Sequence, residues 1–101
     1  MDDEYDINNE YYHSEDYLKF YRETLEDIFE RNHDMTFIYK GVEMFLSFAQ
    51  KEDGTFVRGI FKWPGGWDPI VLFSGDRPED VLLDGKTFYE LEGEIVITSV
   101  Y

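Results

Sequence analysis

The chain has 101 residues, enough for one domain and too few for two. Apolar residues make up 43% and charged residues 32%, a balance that excludes wholesale disorder. There are 23 acids against 9 bases, a net charge of −14, and no cysteine, so disulfides, thiol catalysis and cysteine-ligated zinc are excluded together.

Residues 1–13, MDDEYDINNEYYH, have no apolar periodicity. They are expected to form a mobile, acidic, Tyr-rich arm, or a first turn that orders only on binding, ahead of a single domain over 14–101. Ser14 has the chemistry of a helix N-cap, with Glu15 and Asp16 against the positive end of the helix dipole. Leu18, Tyr21, Leu25 and Ile28, widened by Phe29, recur on one face and predict a helix over 14–32. Glu15–Lys19, Arg22–Glu26 and Asp27–Arg31 have i,i+4 spacing on its wet side.

The period then changes to two. Met35–Tyr39 reads as a strand, Lys40-Gly41 as a tight turn, and Val42, Met44, Leu46 and Phe48 as one face of the next strand. Lys51-Glu52-Asp53-Gly54 carries a hairpin signal. Thr55–Trp63 follows as a third strand, with Phe56, Arg58, Ile60 and Lys62 on one face and Val57, Gly59, Phe61 and Trp63 on the other. Ile70–Phe73 is apolar on both faces and is expected to be a central strand. Arg77–Leu83 suits a short helix with Pro78 near its first turn. Lys86–Leu91 reads as a helical turn or as a loop packing Phe88 and Leu91, and the β-branched run Glu94–Tyr101 closes the chain as a strand. This order predicts an α+β fold: an N-terminal amphipathic helix packed on a mostly antiparallel sheet of four to five strands, with a short helix before the last strand.

Catalytic patterns are missing from the sequence. No Gly-x-Ser-x-Gly turn, Walker loop or Gly-x-Gly-x-x-Gly loop is present. The two histidines, His13 and His33, have no zinc or calcium spacing around them. Adjacent acids such as Glu26-Asp27 and Glu79-Asp80 are what chance gives in so acidic a chain. The expectation is a protein that is not an enzyme, with no cofactor and no metal. The start Met1-Asp2-Asp3-Glu4 is unlike a signal peptide and no apolar run approaches a membrane span, so a cytoplasmic location is expected.

The charge is uneven. Residues 1–34 hold 12 acids and 3 bases, net −9; residues 35–101 hold 11 acids and 6 bases, net −5. Such a field repels nucleic acids and anionic membranes and draws in basic surfaces. The candidate contacts are Asp2, Asp3, Glu4, Asp6, Glu10, Glu15 and Asp16, followed on the helix by Glu23, Glu26, Asp27 and Glu30. Tyr5, Tyr11, Tyr12 and Tyr17 alternate with the acids, and Tyr11, Tyr12 and Tyr17 are read as stacking area. The segment Lys62-Trp63-Pro64-Gly65-Gly66-Trp67-Asp68-Pro69 places two tryptophans around a turn, either as a recognition loop or as a lid on the sheet edge.

The stretch Pro78-Glu79-Asp80-Val81-Leu82, with Asp84-Gly85-Lys86-Thr87-Phe88-Tyr89-Glu90-Leu91, resembles the C-terminal pattern of small proteins of bacteria and their mobile elements. In size, acidity and lack of catalytic groups the chain also resembles phage-borne anti-defence proteins, anti-CRISPRs and DNA mimics. The profile implies a phage-encoded inhibitor in the host cytoplasm that occupies a basic, nucleic-acid-handling partner protein and blocks it by competition. An immunity or antitoxin-like protein capping a toxin, and a small recognition module built on Trp63 and Trp67, are the alternatives. Direct contact with nucleic acid or membrane is not expected, and an exposed aromatic sheet face would suggest a homodimer.

Overall fold

The computed structural model describes residues 6–50, 52, 53, 56–63, 69–73, 75 and 77–101, apart from the side chains at 49, 50, 56 and 57. Asp2, Asp3, Glu4, Tyr5 and Trp67 lie outside the described residues.

Ser14 caps α1 (Glu15–Arg31): its backbone is extended, and its Oγ accepts from the Tyr17 N–H at 3.2 Å. At the other end Asn32 takes a left-handed conformation, φ 56°, and its N–H returns to the Ile28 carbonyl. Tyr17, Tyr21, Leu25, Ile28 and Phe29 are buried, while Leu18 is only half-buried. The buried stripe is therefore centred nearer Tyr17 than the sequence pattern implies. One expected i,i+4 pair forms, Asp27–Arg31 at 3.0 Å. Lys19 instead approaches Glu23 at 3.9 Å, and Arg22 reaches Glu92, outside the helix, at 2.6 Å.

Five strands follow: β1 (Met35–Tyr39), β2 (Val42–Gln50), β3 (Phe56–Lys62), β4 (Pro69–Phe73) and β5 (Ile95–Val100). They form one antiparallel sheet in the order β4-β3-β2-β1-β5. Lys40 (φ 50°) and Gly41 (φ 76°) both take left-handed conformations, which lets a two-residue turn join Tyr39 to its partner Val42. A shift in register between Thr36 and Phe37, which pair with Ser99 and Ile97, leaves Thr98 as the extra residue of a bulge in β5. The fold is α+β, with one helix laid on one face of the sheet.

One expectation is corrected. Ile70–Phe73 is an edge strand, because β5 returns beside β1 and leaves β4 outermost. Its apolar side chains are not all buried: Ile70 is 47% and Leu72 63% exposed, and Pro69 at its head has no N–H to contribute to a ladder. The short helix near Arg77 is a single 3-10 turn, Pro78–Asp80. Residues 87–90 form a capping-box turn, with the Thr87 N–H bonded to Glu90 Oε1 and the Glu90 N–H to Thr87 Oγ1. That turn sends Phe88 and Leu91 fully into the core, and Phe88 meets Phe37 edge-on at 5.5 Å.

The core lies between α1 and the sheet. Phe29 packs against Phe48 and Phe73, Tyr21 donates to the Phe88 carbonyl at 2.6 Å, and Leu46 and Ile60 are fully enclosed. Burial raises the Tyr21 phenol far above its ordinary range.

Candidate functional site

Residues 6–13 do not form a loose arm. Asp6 and Asn9 close a turn through the Asn9 N–H and the Asp6 carbonyl, and Glu10–His13 form a 3-10 helix that leads into α1. Asn9 caps it by accepting from the Tyr11 N–H at 3.0 Å. His13 Nε2 lies 2.8 Å from the Ile7 carbonyl, which ties the ring to this turn.

The three tyrosines expected to stack on a partner separate here. Tyr11 is 57% exposed, but Tyr12 and Tyr17 are buried, at 7% and 2%. Their rings pack on one another, Tyr12 on Tyr17 at 5.0 Å and Tyr11 on Tyr17 at 5.6 Å. Tyr17 accepts from the Ile97 N–H at 2.9 Å and donates to the Ile95 carbonyl at 3.2 Å. Removal from water is the main cause that pushes its phenol up to about 12. Tyr12 and Tyr17 thus belong to the packed interior, and the polar tip of Tyr17 satisfies backbone groups there. Phe20 joins Tyr11 at this surface: it is 45% exposed and lies 5.8 Å from the Tyr17 ring. A phenylalanine between Lys19 and Tyr21 has no pattern that marks it as exposed.

Asp6, Glu10, Glu15, Asp16, Glu23, Glu26 and Glu30 are exposed and Asp27 is half-buried. Asp16, Glu23, Asp27 and Glu30 are separated by 7, 4 and 3 residues, which places them on one outward stripe of α1. Between 15 and 31 there are six acids and three bases, a net of −3. The cations of Lys19 and Arg31 sit in exposed pairs with Glu23 and Asp27, and such pairs add little stability and leave the stripe open to solvent.

Trp63 is on the other side of the sheet. β2 places Met44, Leu46 and Phe48 toward α1 and the intervening Phe45 away from it. Trp63 packs on Phe45 at 5.2 Å, donates its backbone N–H to the Glu43 carbonyl and is 41% exposed. Tyr101 flanks the same ring at 6.3 Å and is 61% exposed. The residues expected to bind a partner therefore fall into two groups on opposite faces, the α1 acids on one and Trp63 on the other.

At the end of the sheet near β1, Tyr39 donates to Asp84 Oδ2 at 3.0 Å and Lys40 Nζ lies 3.3 Å from the same oxygen. The Tyr39 hydroxyl and the Lys40 ammonium hold the Asp84 carboxyl below the usual range. This contact joins two left-handed turns, Lys40-Gly41 and Asp84-Gly85. Among the described residues no three His, Asp or Glu side chains are grouped to hold a metal, and no helix is long and apolar enough to cross a membrane. Compared with the known protein families, the curated proteins and the solved structures, the chain matches none of them.

Proposed function

We propose that this chain is a non-enzymatic acidic protein that binds a basic, nucleic-acid-handling partner protein and inhibits it by competition. The observation that carries the reading is the outward stripe of Asp16, Glu23, Asp27 and Glu30 on a helix whose other face is fastened to the sheet. A helix of 17 residues is about 26 Å long, so its six acids average one per ~4 Å. One strand of a duplex carries a phosphate per ~3.4 Å, and a whole duplex carries twice that density. The helix therefore compares with a single strand rather than with a duplex, and its three bases lower the net field further. Tyr11 and Phe20, both exposed beside the acids, add apolar contact area of the kind that anchors an interface. The reading places the protein among inhibitors of the anti-defence or DNA-mimic kind, acting where its partner holds nucleic acid.

The test compares the wild-type chain with a variant carrying Asp16→Asn, Glu23→Gln, Asp27→Asn and Glu30→Gln. Each is used to capture proteins from cells of the source at about 50 mM and about 500 mM salt, where screening differs several-fold. A captured nucleic-acid-binding protein is then assayed for DNA or RNA binding with each chain added. Inhibition by the wild type that weakens with salt, and is lost in the variant, supports the reading. Equal inhibition by both chains overturns it.

A further inference from the structure

The sheet has two outer edges, and they are treated differently. On β5 the Tyr17 hydroxyl accepts from the Ile97 N–H and donates to the Ile95 carbonyl, so one phenol stands where a neighbouring strand would be. On β4 no such plug exists among the described residues: its ladder runs to β3 alone. Beside this edge lies an open groove of about 450 Å³, lined by Val71, Leu72, Phe73, Gly75, Asp80 and Leu82. Leu72 and Leu82 are 63% and 52% exposed, and β4 itself carries no ionisable residue.

We infer that the β4 edge and its groove bind an extended segment of a protein partner, one with apolar residues at alternate positions and a lysine or arginine among them. The free backbone row selects the conformation, because only an extended chain can match alternating N–H and carbonyl groups along a strand. The side-chain period of two sends alternate residues of that chain toward the Leu82 side of the groove. Charge selects the rest. Asp80 is the acidic residue in the groove lining, and its Oδ2 accepts from the Arg77 backbone N–H, which fixes the carboxyl group in place. A second copy of this chain fits less well, since pairing two chains of net charge −14 adds repulsion that a basic segment removes. This surface lies apart from the outward stripe of α1 and does not depend on the function proposed for it.

The probe is the blocked peptide acetyl-Val-Thr-Lys-Thr-Val-amide, which puts its two valines and its lysine on one face, titrated into the full-length 15N-labelled chain at physiological salt. Shifts are expected at the amides of Ile70, Leu72 and Leu82, with weak but saturable binding. The same peptide N-methylated at alternate residues loses two ladder bonds and is expected to bind about tenfold more weakly. Replacing its Lys by Glu is expected to weaken binding several-fold, and Leu72→Lys in the protein, at a solvent-exposed position, to abolish it while the rest of the spectrum stays dispersed. The inference is overturned if millimolar peptide leaves the β4 amides unmoved, if shifts are confined to α1, or if the Glu peptide binds as well as the Lys peptide. It is also overturned if the free protein sediments as a dimer with the Ile70 and Leu72 amides already protected, because a second copy then holds the edge.

Discussion

The Tyr17 hydroxyl lies 2.9 Å from the backbone nitrogen of Ile97 and closes the outer edge of β5 from a helix on the sheet's face. The ring is 2% exposed, so both backbone groups it serves lose water when the chain folds. Tyr17→Phe keeps the ring and removes the bonds. It is expected to cost about 1–3 kcal/mol, the usual range for a buried donor left without a partner. Urea unfolding measures the loss. Amide exchange at Ile97, faster in the variant than at neighbouring β5 positions, assigns it to this edge.

The same residue sets a response to alkali. The Tyr17 phenol is raised from 10.0 to about 12 in the folded chain, chiefly by desolvation. Its folded-state pKa lies above its unfolded value, so the neutral phenol contributes stability in full below pH 10. That contribution is lost as pH rises from 10 toward 12, because the unfolded chain releases the proton first. Tyr21, raised in the same direction, extends the loss to higher pH. Unfolding free energy measured from pH 8 to 12 is expected to fall over the upper half of that interval. In Tyr17→Phe the slope is expected to be shallower, and a slope equal to that of the wild type assigns the titration to other groups.

Local features of this fold were legible because they are written in neighbouring residues. Ser14 announces the start of α1 by its short hydroxyl side chain, and the alternation of Met44, Leu46 and Phe48 announces a strand with one buried face. The position of β4 in the sheet was not legible. An apolar strand buried on both faces and an exposed apolar edge share one pattern, and what distinguishes them here is where β5 returns. The burial of Tyr17 departs from its sequence pattern for a related reason. It sits among acids in the sequence, and the backbone groups that draw it inward belong to a strand 78 and 80 residues away. The exposure of the α1 acids could be read from charge and period alone, whereas the placement of Trp63 on the opposite face depends on the register of β3 against β2.

Arg58 illustrates what a buried cation needs. It is 8% exposed, its guanidinium lies over the Phe48 ring at 5.4 Å, and its Nη1 donates to the Gly75 carbonyl. Arg58→Ala removes the stem that packs on Phe48 and leaves that carbonyl without this donor. A loss of about 2–4 kcal/mol is expected. Arg58→Lys is expected to recover less than half of it, since a compact ammonium on a thinner stem does not stack on a ring as a planar guanidinium does. Chemical denaturation with unchanged slope against denaturant verifies that the effect lies in stability and not in a changed unfolded state.

Gly59 tests how closely the face of the sheet opposite α1 is packed. A methyl group added there would meet Phe61 Cε2 and Cζ at 3.1 Å and the Val71 carbonyl oxygen at 3.1 Å. Two effects oppose each other in Gly59→Ala. Reduced freedom of the unfolded chain favours the variant by about 0.4–1 kcal/mol. Crowding against a ring and a backbone atom costs about 1–3 kcal/mol, and the oxygen belongs to the β3–β4 ladder and cannot swing away as a side chain can. The crowding is expected to win, with a net loss of about 1 kcal/mol and a melting temperature a few degrees lower. Phe61→Leu in the Gly59→Ala background withdraws the ring and leaves the oxygen. The double variant is therefore expected to lose less than the sum of the two single changes, and strict additivity in a double-mutant cycle places the strain at the Val71 carbonyl alone.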